Sequence, residues 1–593
     1  MSIIVQKFGG TSVATADKIL RAARRAVDAK KAGNQVVMVV SARGQKTDEL
    51  IELANEIAET NSTREMDVLL STGEQETIAL TAMAIHSLGE KAISLTGMQM
   101  GMLTDASHSK ARITRINTDR LRKLLAEGNI IVAAGFQGYD EHGDITTLGR
   151  GGSDTTATAL AAALGAQMCE IYTDVDGIYT TDPRLVPQAQ KLEAIAYDEM
   201  LELTSMGGGK MHSRSIEFAK KFRVPLCVRS ATHDEPGTLI SDETPYDIPV
   251  VSVALVKTEV RVTLSSVPDV PGVMSTIFAA MAARRIPLDL VVQDVGQDGR
   301  AEISFTVPQD ELADTLTAAD EAIEKIGAGK VTHGTNVSKV SAVGTGMQSH
   351  AGVAAEMFGQ LAERGINIKM ISTGDIKISV LVDRDQNADA VRAVHEGFKL
   401  HQLSNHIRRD KAKGPSHLDD LSQAEREREV VKKLAGMEDI VVSDVHVDKG
   451  QARVSLHNIP DSPGIAAKIF SEIAKAGIMV DLIVQNVSQE NKTSITLTVL
   501  TSDAERCVQA VEKLKHTWPQ LEIWTDDDIV KISVKGIGLR SHTGVGEKMF
   551  RALAEVGVNI QMVATSEIRM SVVIAKKDAE KAQMALLKTF ELS

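Results

Sequence analysis

A lysine followed closely by two glycines, in the stretch QKFGGTSV at 6–13, is the first group in the chain suited to bind phosphate. It lies between an apolar run, SIIV, and a segment with helical periodicity, which predicts a turn from strand to helix. Glycines lack Cβ atoms, so backbone N–H groups there can approach an anion, and Lys7 adds a positive charge. The pattern matches neither common nucleotide-binding fingerprint, so a purely structural turn at Gly9 and Gly10 is the alternative.

A second glycine-rich loop, TTLGRGGSD at 146–154, opens another helical segment. Arg150 could bind a carboxylate through two hydrogen bonds, and a helix N-terminus favours anions. Asp154 suits a helix N-cap as well as a contact to a ligand. With this second loop, the sequence favours an anion-binding site over a purely structural turn.

The elements that must position these loops alternate along the chain to about Asp247. Short β-branched runs such as QVVMVVSA, NIIVAAGF and CEIYTDV are separated by helical patterns such as DTTATALAAALGA. This alternation predicts an α/β fold with a doubly wound, mainly parallel sheet. Ligands bind such sheets at the carboxyl ends of the strands, which is where the glycine-rich loops fall.

The second part of the chain contains a duplicated unit. VPDVPGVMSTIFAAMAARRIPLDLVVQDV from Val267 recurs as IPDSPGIAAKIFSEIAKAGIMVDLIVQNV from Ile459, an offset of 192 residues. A weaker repeat, offset by 80 residues, aligns Gly272 with Gly352 inside the first unit. Strand, turn, amphipathic helix and strand recur in each module, which predicts four α+β ferredoxin-like modules. Modules this small need partners to bury a core, so we expect them to pair.

These patterns set the predicted domain boundaries. The chain divides into an α/β domain at 1–245, module 1 at 246–330, module 2 at 331–402, a charged linker at 403–435, module 3 at 436–525 and module 4 at 526–593. The linker is rich in charge and poor in large apolar residues, which is typical of a solvated connection. We expect its charges to form a solvated face rather than a binding site.

Composition argues against several classes of function. A net charge of -13 and a pI of about 5.7 argue against a nucleic-acid partner, because neutralising phosphates needs a positive excess. The widely spaced Cys169, Cys227 and Cys507 suggest reduced thiols rather than disulfides or a metal site. The sequence shows neither a secretion signal nor an apolar run of the roughly 18 residues that span a membrane. We therefore expect a cytoplasmic protein with no membrane partner.

Five ordered motifs, KFGGTSV, LLSTGE, GFQG, TTLGRGGSD and TDVDGIYTTDPR, closely resemble those of the aspartate kinase family in the amino-acid kinase superfamily. The tandem modules resemble ACT-type regulatory domains, and four of them resemble the longer, duplicated form of the family. The resemblance implies transfer of the γ-phosphoryl group of ATP, with Mg²⁺ on the nucleotide, to the side-chain carboxylate of L-aspartate. The product would be 4-phospho-L-aspartate, in the first step of lysine, threonine and methionine biosynthesis.

The resemblance also implies roles for residues of the first domain. The catalytic residues would be Lys7, Arg150 and Asp154. The substrate would contact Ser41, Thr47, Glu74, Phe136, Arg150, Gly151, Gly152, Ser153 and Asp154, with Arg150 on its carboxylate and Glu74 on its ammonium group. The nucleotide would contact Lys7, Phe8, Gly9, Gly10, Thr173, Asp174, Tyr179, Asp182, Arg184 and Lys210.

Two of these nucleotide contacts have alternatives. Tyr179 could instead be a core aromatic residue. Lys210 follows Gly209, the position at which the family often places its lysine, so this contact is either shifted by one residue or missing.

For the modules, the resemblance implies that end-product amino acids such as lysine and threonine bind between paired modules. The first module of each unit would contribute Asp269, Gln293 and Asp294, or Asp461, Gln485 and Asn486. The second module would contribute Met347, His350 and Gly352, or Leu539, His542 and Gly544, although both histidines also suit simple turns. The two units could differ in ligand or affinity, because Asp294 stands where the second unit has Asn486.

Three functions stay open at this point. The first is a feedback-regulated aspartate kinase, which the family resemblance suggests is a homodimer, although four modules could also pair within one chain. The second is another superfamily member acting on a different small acid or on carbamate. The third is an amino-acid sensor with a degenerate kinase domain, which only Gly209 favours. The presence of Lys7, Glu74, Arg150 and Asp154 favours an enzyme.

Overall fold

The computed structural model describes residues 2–58, 60–149, 151–207, 211–295, 299–406, 441–486, 492–539 and 543–592. Four residues predicted from the sequence fall outside this description. They are Arg150, Lys210, His542 and the side chain of Asp294. No helix within the described ranges is long and apolar enough to cross a membrane.

The first domain is built on a mainly parallel sheet, as the sequence predicts. Its strands are β1 (Ile3–Phe8), β2 (Gln35–Val40), β3 (Ala92–Leu95), β4 (Met102–Thr104), β5 (Ile113–Ile116), β6 (Ile130–Ala134), β7 (Gln137–Tyr139), β8 (Ile145–Thr147), β9 (Met168–Thr173), β10 (Ala194–Ala196), β11 (Leu226–Ser230) and β12 (Thr238–Ser241). Eight of them form one sheet in the order β10-β12-β11-β9-β1-β2-β6-β3. In this sheet only the β11–β12 pair is antiparallel. The short strands β4, β5, β7 and β8 form a separate sheet.

Helices cover both faces of the large sheet. They are α1 (Ala16–Lys31), α2 (Lys46–Ile57), α3 (Thr63–Ser87), α4 (Asp119–Ala126), α5 (Gly152–Leu164), α6 (Tyr197–Ser205) and α7 (Ser213–Phe222). Every residue of α5 is buried, which fits its sequence of alanine, threonine and leucine with one charged residue, Asp154. The central helix thus places its N-terminal turn, and that charge, inside the domain.

The modules follow with longer antiparallel strands. The strands are β13 (Ser252–Pro268), β14 (Asp289–Val295), β15 (Arg300–Pro308), β16 (Lys330–Val343), β17 (Met370–Gly374), β18 (Lys377–Asp383), β19 (Val441–Asp448), β20 (Gln451–Pro460), β21 (Val480–Gln485), β22 (Lys492–Leu500), β23 (Glu522–Asp526), β24 (Ile529–Ile537), β25 (Met562–Thr565) and β26 (Arg569–Ala575). The helices are α8 (Val273–Ala283), α9 (Leu312–Ile326), α10 (Val353–Glu363), α11 (Asn387–Gly397), α12 (Ile465–Lys475), α13 (Ala504–Glu512), α14 (Thr543–Glu555) and α15 (Ala579–Thr589).

The modules pair within the chain, module 2 with module 3 and module 1 with module 4. Strands β17 and β21 join modules 2 and 3 in one sheet, and helices α10 and α12 pack through Phe358 and Phe470, whose ring centroids lie 5.2 Å apart. Helices α8 and α14 pack likewise through Phe278 and Phe550, at 4.3 Å. Each pair therefore shares one apolar core, which a single module is too small to form.

One strand lies with a different module from the one its sequence position predicts. Strand β19 falls in the range predicted for module 3, yet it pairs with β24 of module 4. The first unit repeats this arrangement, because the first residues of β13 pair with β16 of module 2. Because β19 and the first residues of β13 each pair with a strand of the neighbouring module, the two modules of each unit are linked by backbone hydrogen bonds. The boundaries between the modules stay predictions.

Candidate active site

The parallel strands bring the predicted loops to one edge of the sheet. Because β1, β2, β6 and β9 run in the same direction, their carboxyl ends meet there. Gly9, Ser41, Gly135 and Asp174 lie in the segments that directly follow these strands. The glycine-rich turns that are far apart in the sequence therefore face a common space.

Lys7 and Asp154 form the charged centre of this edge. The Lys7 Nζ atom lies 2.5 Å from the Asp154 Oδ1 atom, and the two side chains are 11% and 7% exposed. Gly151, with a φ of 75°, is the N-cap of α5, so the alternative of Asp154 as the N-cap is wrong. Asp154 lies instead in the first turn of the helix, where it orients the lysine.

The two glycines of the opening turn have different roles. A Cβ atom on Gly10 would lie 2.6 Å from the Ala42 carbonyl oxygen, so this glycine permits the close approach of two loops. A Cβ atom on Gly9 would lie 3.6 Å from Lys7 Nζ, on the side of the turn that faces the charge. The buried hydroxyl of Ser12, in the short 3-10 helix after the turn, has no hydrogen-bond partner among the described residues. Ser12 was not predicted as a site residue, although a hydroxyl two residues after the glycines could have indicated it.

Glu74 contributes a buried carboxylate from α3. Its Oε1 atom accepts a hydrogen bond from the Ala42 N–H at 2.8 Å, while Oε2 has no hydrogen-bond partner within the described part of the chain. Glu74 is 3% exposed, and this burial raises the pKa of its carboxyl group to about 7. The second oxygen is therefore suited to a ligand that carries an ammonium group.

Tight backbone packing fixes the residues around α5. Phe136 has a φ of 70°, and its N–H donates to the Thr156 hydroxyl at 3.1 Å. A Cβ atom on Gly135 would lie 2.6 Å from Ser153 Oγ, and one on Gly152 would lie 3.0 Å from the Phe136 ring. Phe136, Gly152 and Ser153 thus form one rigid wall. Ser41 and Thr47, both half-buried, lie after β2 and in the first turn of α2.

The predicted nucleotide residues separate into two groups. Phe8 is buried and stacks on Tyr172 with ring centroids 4.6 Å apart, so its side chain belongs to the core and only its backbone faces the loops. Thr173, Asp174, Tyr179, Asp182 and Arg184 lie at the end of β9 and in the segment after it. The hydroxyl of Tyr179 donates to Asp176 at 3.0 Å, and the highly exposed Arg184 pairs with Asp182 at 2.7 Å. Tyr179 is half-buried, unlike a core aromatic residue.

Asp67 supports the site from α3, although it was not predicted from the sequence. Its fully buried carboxylate accepts hydrogen bonds from the Thr147 hydroxyl at 2.6 Å and the Ser109 N–H at 3.0 Å, and it lies 2.9 Å from His108 Nδ1. It thereby holds the loop at 105–111 against the strand that leads into the second glycine-rich loop. An acidic residue in a helical segment is normally predicted to be exposed to solvent. Only the spacing of apolar residues along α3 could have indicated that Asp67 is buried.

Each module pair has a polar site at its interface. Asn367 Nδ2 donates to Asp461 at 2.9 Å, and Gln485 Nε2 donates to the Ile368 carbonyl at 3.1 Å. The other pair repeats the arrangement: Asn559 donates to Asp269 at 3.0 Å, and Gln293 donates to the Ile560 carbonyl at 2.9 Å. The Oε1 atoms of both glutamines are buried without a hydrogen-bond partner in the described ranges. The motifs GINIKMI and GVNIQMV could have indicated the two asparagines.

A larger cavity, of about 370 Å³, opens on the opposite side of the pair formed by modules 2 and 3. Met347, His350 and Gly352 of module 2 line it, while module 3 contributes Asp481 and other residues. His350 also donates from Nδ1 to the Gly346 carbonyl at 2.7 Å, as a turn residue would. Leu539, the residue equivalent to Met347, is instead buried in the core shared by modules 1 and 4, and Gly544 lies in the first turn of α14.

Family models match most of the chain. The model of the amino acid kinase family matches residues 2–230, and the ACT domain model matches 340–398, 454–514 and 532–590. The aspartate kinase of Pseudomonas putida is 48% identical over 403 residues, which are 68% of this chain and 98% of that protein.

Solved structures agree with these matches. The aspartate kinase of Synechocystis is 36% identical, with a TM-score of 0.52 over 100% of this chain and 98% of that one. Aspartokinase III of E. coli, in complex with aspartate and ADP, is 26% identical with a TM-score of 0.57, over 67% of this chain and 99% of that one. The same enzyme in complex with lysine and aspartate gives a TM-score of 0.54, with the same identity and coverage. By its sequence, its fold and the carboxyl-edge site just described, the chain belongs to the aspartate kinase family and is a phosphotransferase with ACT domains.

Proposed function

We propose that the chain transfers the γ-phosphoryl group of ATP to the side-chain carboxylate of L-aspartate, giving 4-phospho-L-aspartate. One observation carries the proposal: the buried Lys7–Asp154 pair lies at the same sheet edge as Glu74, which has one oxygen available. The complex of E. coli aspartokinase III with aspartate and ADP supports it. A carboxylate nucleophile is already ionised at neutral pH, so the site needs charge neutralisation and alignment rather than a strong base.

The residues divide this work between them. Lys7 neutralises negative charge on the transferring phosphoryl group, with Asp154 holding its ammonium group in place. Glu74 binds the ammonium group of the substrate, and Ser41, Thr47, Phe136, Gly151, Gly152 and Ser153 position its carboxylates. We propose the same role for Arg150, and a phosphate contact for Lys210, on the resemblance alone.

The edge of the sheet also fits a nucleotide. Ser12 offers a buried hydroxyl that has no hydrogen-bond partner in the described part of the chain, and the Gly9 turn leaves room beside the Lys7 ammonium group. Mg²⁺ on the nucleotide would supply positive charge that offsets the negative charge of the phosphates during transfer. Thr173, Asp174 and Tyr179 would contact the nucleoside, with Asp182 and Arg184 at the margin of the pocket.

Trapping of the product with hydroxylamine tests this proposal. The chain is incubated with ATP and Mg²⁺ and with a panel of acids, namely L-aspartate, L-glutamate, acetate and carbamate. We expect hydroxamate formation with L-aspartate at a rate far above the other acids. A different preferred acid would point to another superfamily activity, and no product with any acid would favour a degenerate sensor.

We further propose that amino acids made from the product, lysine and threonine, inhibit the enzyme by binding between paired modules. The two interfacial sites around Asp461 with Gln485 and around Asp269 with Gln293 support this, since each leaves a buried amide oxygen available for an ammonium group. The cavity lined by Met347 and His350 is a third candidate site, between modules 2 and 3. The complex of the E. coli enzyme with lysine is consistent with it. On this view the chain catalyses the first step of lysine, threonine and methionine biosynthesis in the cytoplasm. We also propose that it forms a homodimer, and its molar mass from light scattering would test this.

The pKa of Glu74 predicts how aspartate use depends on pH. Below about 7 the free enzyme holds this carboxyl group protonated, so it cannot pair with the substrate ammonium group. We expect kcat/KM for aspartate to fall about tenfold per pH unit below that value, and Glu74→Gln to remove this limb and raise KM. Glu76→Gln, on the same helix but in a surface pair with Arg43, is the control and should keep the native profile.

The same shift predicts a stability difference with a definite sign. The folded pKa of Glu74 is raised from 4.5 to about 7, so the native state binds a proton that the unfolded state releases between these values. The Glu74 carboxyl group makes its full contribution to the free energy of unfolding below pH 4.5, and this contribution is lost as the pH rises through 7. Relative to Glu74→Gln, the native chain should therefore lose stability over this range. If the melting temperatures of the two proteins change in parallel with pH, the buried placement of Glu74 is contradicted.

Variants of the two glutamines would show which pair senses which amino acid. Gln485→Leu should raise the effector concentration for half inhibition at least about tenfold at the site of modules 2 and 3, because a buried polar ligand group loses its partner. Gln293→Leu is the matched variant in the other pair. We expect each variant to change the response to one amino acid more than to the other, with uninhibited kcat within about twofold of native. Unchanged inhibition in both would refute these sites.

A further inference from the structure

Glu202, on α6 of the catalytic domain, is held by two regulatory modules at once. Its Oε1 atom accepts a hydrogen bond from the Glu567 N–H of module 4 at 2.8 Å. Its Oε2 atom lies 2.9 Å from Lys377 Nζ of module 2, and both side chains are almost completely buried. Three residues earlier, Glu199 accepts hydrogen bonds from the Thr345 N–H at 2.8 Å and from the Thr345 hydroxyl at 2.9 Å. One face of α6 is therefore bound by charge and hydrogen bonds to the modules.

The two segments that hold Glu202 are equivalent turns of the repeat. Gly374–Lys377 in module 2 and Ser566–Arg569 in module 4 are related by the offset of 192 residues. Asp375 and Arg569, one from each turn, form an ion pair with each other. We call these two segments the paired turns. Each stands at the strand connection β17–β18 or β25–β26, so neither can move without its sheet.

The paired turns also form a wall of the 370 Å³ cavity between modules 2 and 3. Thr373, Gly374 and Asp375 line it from module 2, and Lys531 and Arg569 reach it from module 4. Lys531 pairs there with Asp481 of module 3. Asp375 faces the cavity two residues before Lys377, and Arg569 faces it two residues after Glu567. A charged ligand in the cavity therefore meets the Asp375–Arg569 pair, and each residue of that pair lies two positions from a residue that binds Glu202.

From Glu202 the packing continues to the catalytic loops. Helix α6 packs on α7, and α7 packs on α5, whose first turn carries Asp154. At the start of α7, His212 lies directly against Gly151, where a Cβ atom would come within 2.4 Å of the His212 side chain. A displacement of α6 is thus carried to the neighbour of Arg150 and to the partner of Lys7, because close-packed helices do not deform continuously.

We propose that the paired turns are the joint through which an amino acid in this cavity controls catalysis, and that Glu202 is the positioning residue that receives the signal. The ammonium group of the ligand competes with Arg569 for Asp375, and its carboxylate competes with Asp375 for Arg569. This weakens or shifts the contacts that Lys377 and the Glu567 N–H make with Glu202. The inference rests on the proposed function, and it goes further by assigning the route of inhibition to named contacts.

The test compares inhibition with binding in charge-matched variants. Glu202→Gln keeps the shape of the side chain and removes its charge, and Glu202→Gln combined with Lys377→Met removes both charges of the pair. Glu321→Gln, in the partly exposed pair with Arg284 of module 1, loses the same charge far from the joint and is the control. For each protein, hydroxamate formation and calorimetric binding are measured with L-lysine and with L-threonine. Melting temperatures report folding.

We expect both joint variants to bind the amino acid within about threefold of the native Kd, while the concentration for half inhibition rises at least tenfold. The control should be inhibited like the native chain. Native-like inhibition in a folded joint variant overturns the proposal, and so does loss of binding in parallel with inhibition, because that would make Glu202 part of the ligand site.

A second measurement separates the joint from the proposed activity. Hydrogen exchange of α6 amides is followed as lysine or threonine is added to the native chain and to Glu202→Gln. We expect a change of at least fivefold in the native chain that is absent in the variant, whether or not aspartate is the substrate. A native chain that phosphorylates aspartate but shows no exchange change with either amino acid overturns the joint and leaves the kinase proposal standing. If aspartate is not phosphorylated but the amino acid still changes the exchange of the α6 amides, the kinase proposal is overturned and the joint stands.

Discussion

Replacing Lys7 with methionine is expected to lower kcat by about 10²–10³-fold while KM for aspartate changes little. Lys7 carries the charge that faces the transferring phosphoryl group, and loss of one such preorganised group has an effect of this size in other enzymes. Because the lysine acts on charge that develops during transfer, the loss should appear in kcat rather than in binding of the acid. Steady-state kinetics of hydroxamate formation in both substrates measures it.

Two variants separate the charge of Lys7 from its contact with Asp154. Asp154→Asn keeps the lysine and removes the partner that orients it at 2.5 Å, so we expect a smaller loss of kcat than in Lys7→Met. Lys91→Met removes an exposed lysine in the same domain and should leave kcat unchanged. A Lys7→Met enzyme with native kcat would show that the opening turn is only structural.

Replacing Lys339 with methionine is expected to destabilise the modules by about 3–5 kcal/mol, the usual cost of removing one partner from a buried ion pair. Lys339, on β16 of module 2, is 2% exposed and lies 2.7 Å from Glu259 and in contact with Asp289, both of module 1. Without the lysine, the two carboxylates share a buried site whose remaining countercharge is more distant, with Lys377 Nζ 4.0 Å from Asp289 Oδ1. The melting transition of the modules, followed by calorimetry, measures the change.

Removing all three charges should restore most of this stability. The triple variant Lys339→Met, Glu259→Gln and Asp289→Asn leaves no unpaired buried ion, so we expect it to melt within a few degrees of the native chain. Lys369→Met, in a pair with Asp383 that is about 30% exposed, should change stability by less than about 1 kcal/mol. If Lys339→Met lowers stability no more than Lys369→Met does, the contacts of Lys339 with Glu259 and Asp289 do not determine stability.

The catalytic domain was predictable because its signals are local. Runs such as QVVMVV and IIVAA fix strands by their β-branched residues, and glycine-rich loops after parallel strands must gather at one edge of the sheet. Strand alternation even predicts that Lys7 and Phe8 point to opposite faces of β1, which is why Phe8 packs against Tyr172 while Lys7 reaches Asp154.

The arrangement of the modules was not predictable in this way. The repeat makes the four modules similar in pattern, so it indicates pairing without saying which pairs form. That choice depends on contacts between distant residues, such as the backbone pairing of Ile371 with Gln485. Glu202 shows the same limit, because an acidic residue on an amphipathic helix predicts a solvated face. Only tertiary packing reveals that its charge is buried against Lys377.

The most direct test of a kinase and a sensor in one chain is the rate of aspartyl hydroxamate formation with ATP and Mg²⁺, titrated with lysine, with threonine and with both. The account predicts activity that depends on L-aspartate and falls as one or both amino acids are added, with a coupling of about 1–3 kcal/mol between the effector and substrate sites. Activity unaffected by either amino acid would contradict the sensing role of the modules, and no activity under any condition would contradict the catalytic assignment.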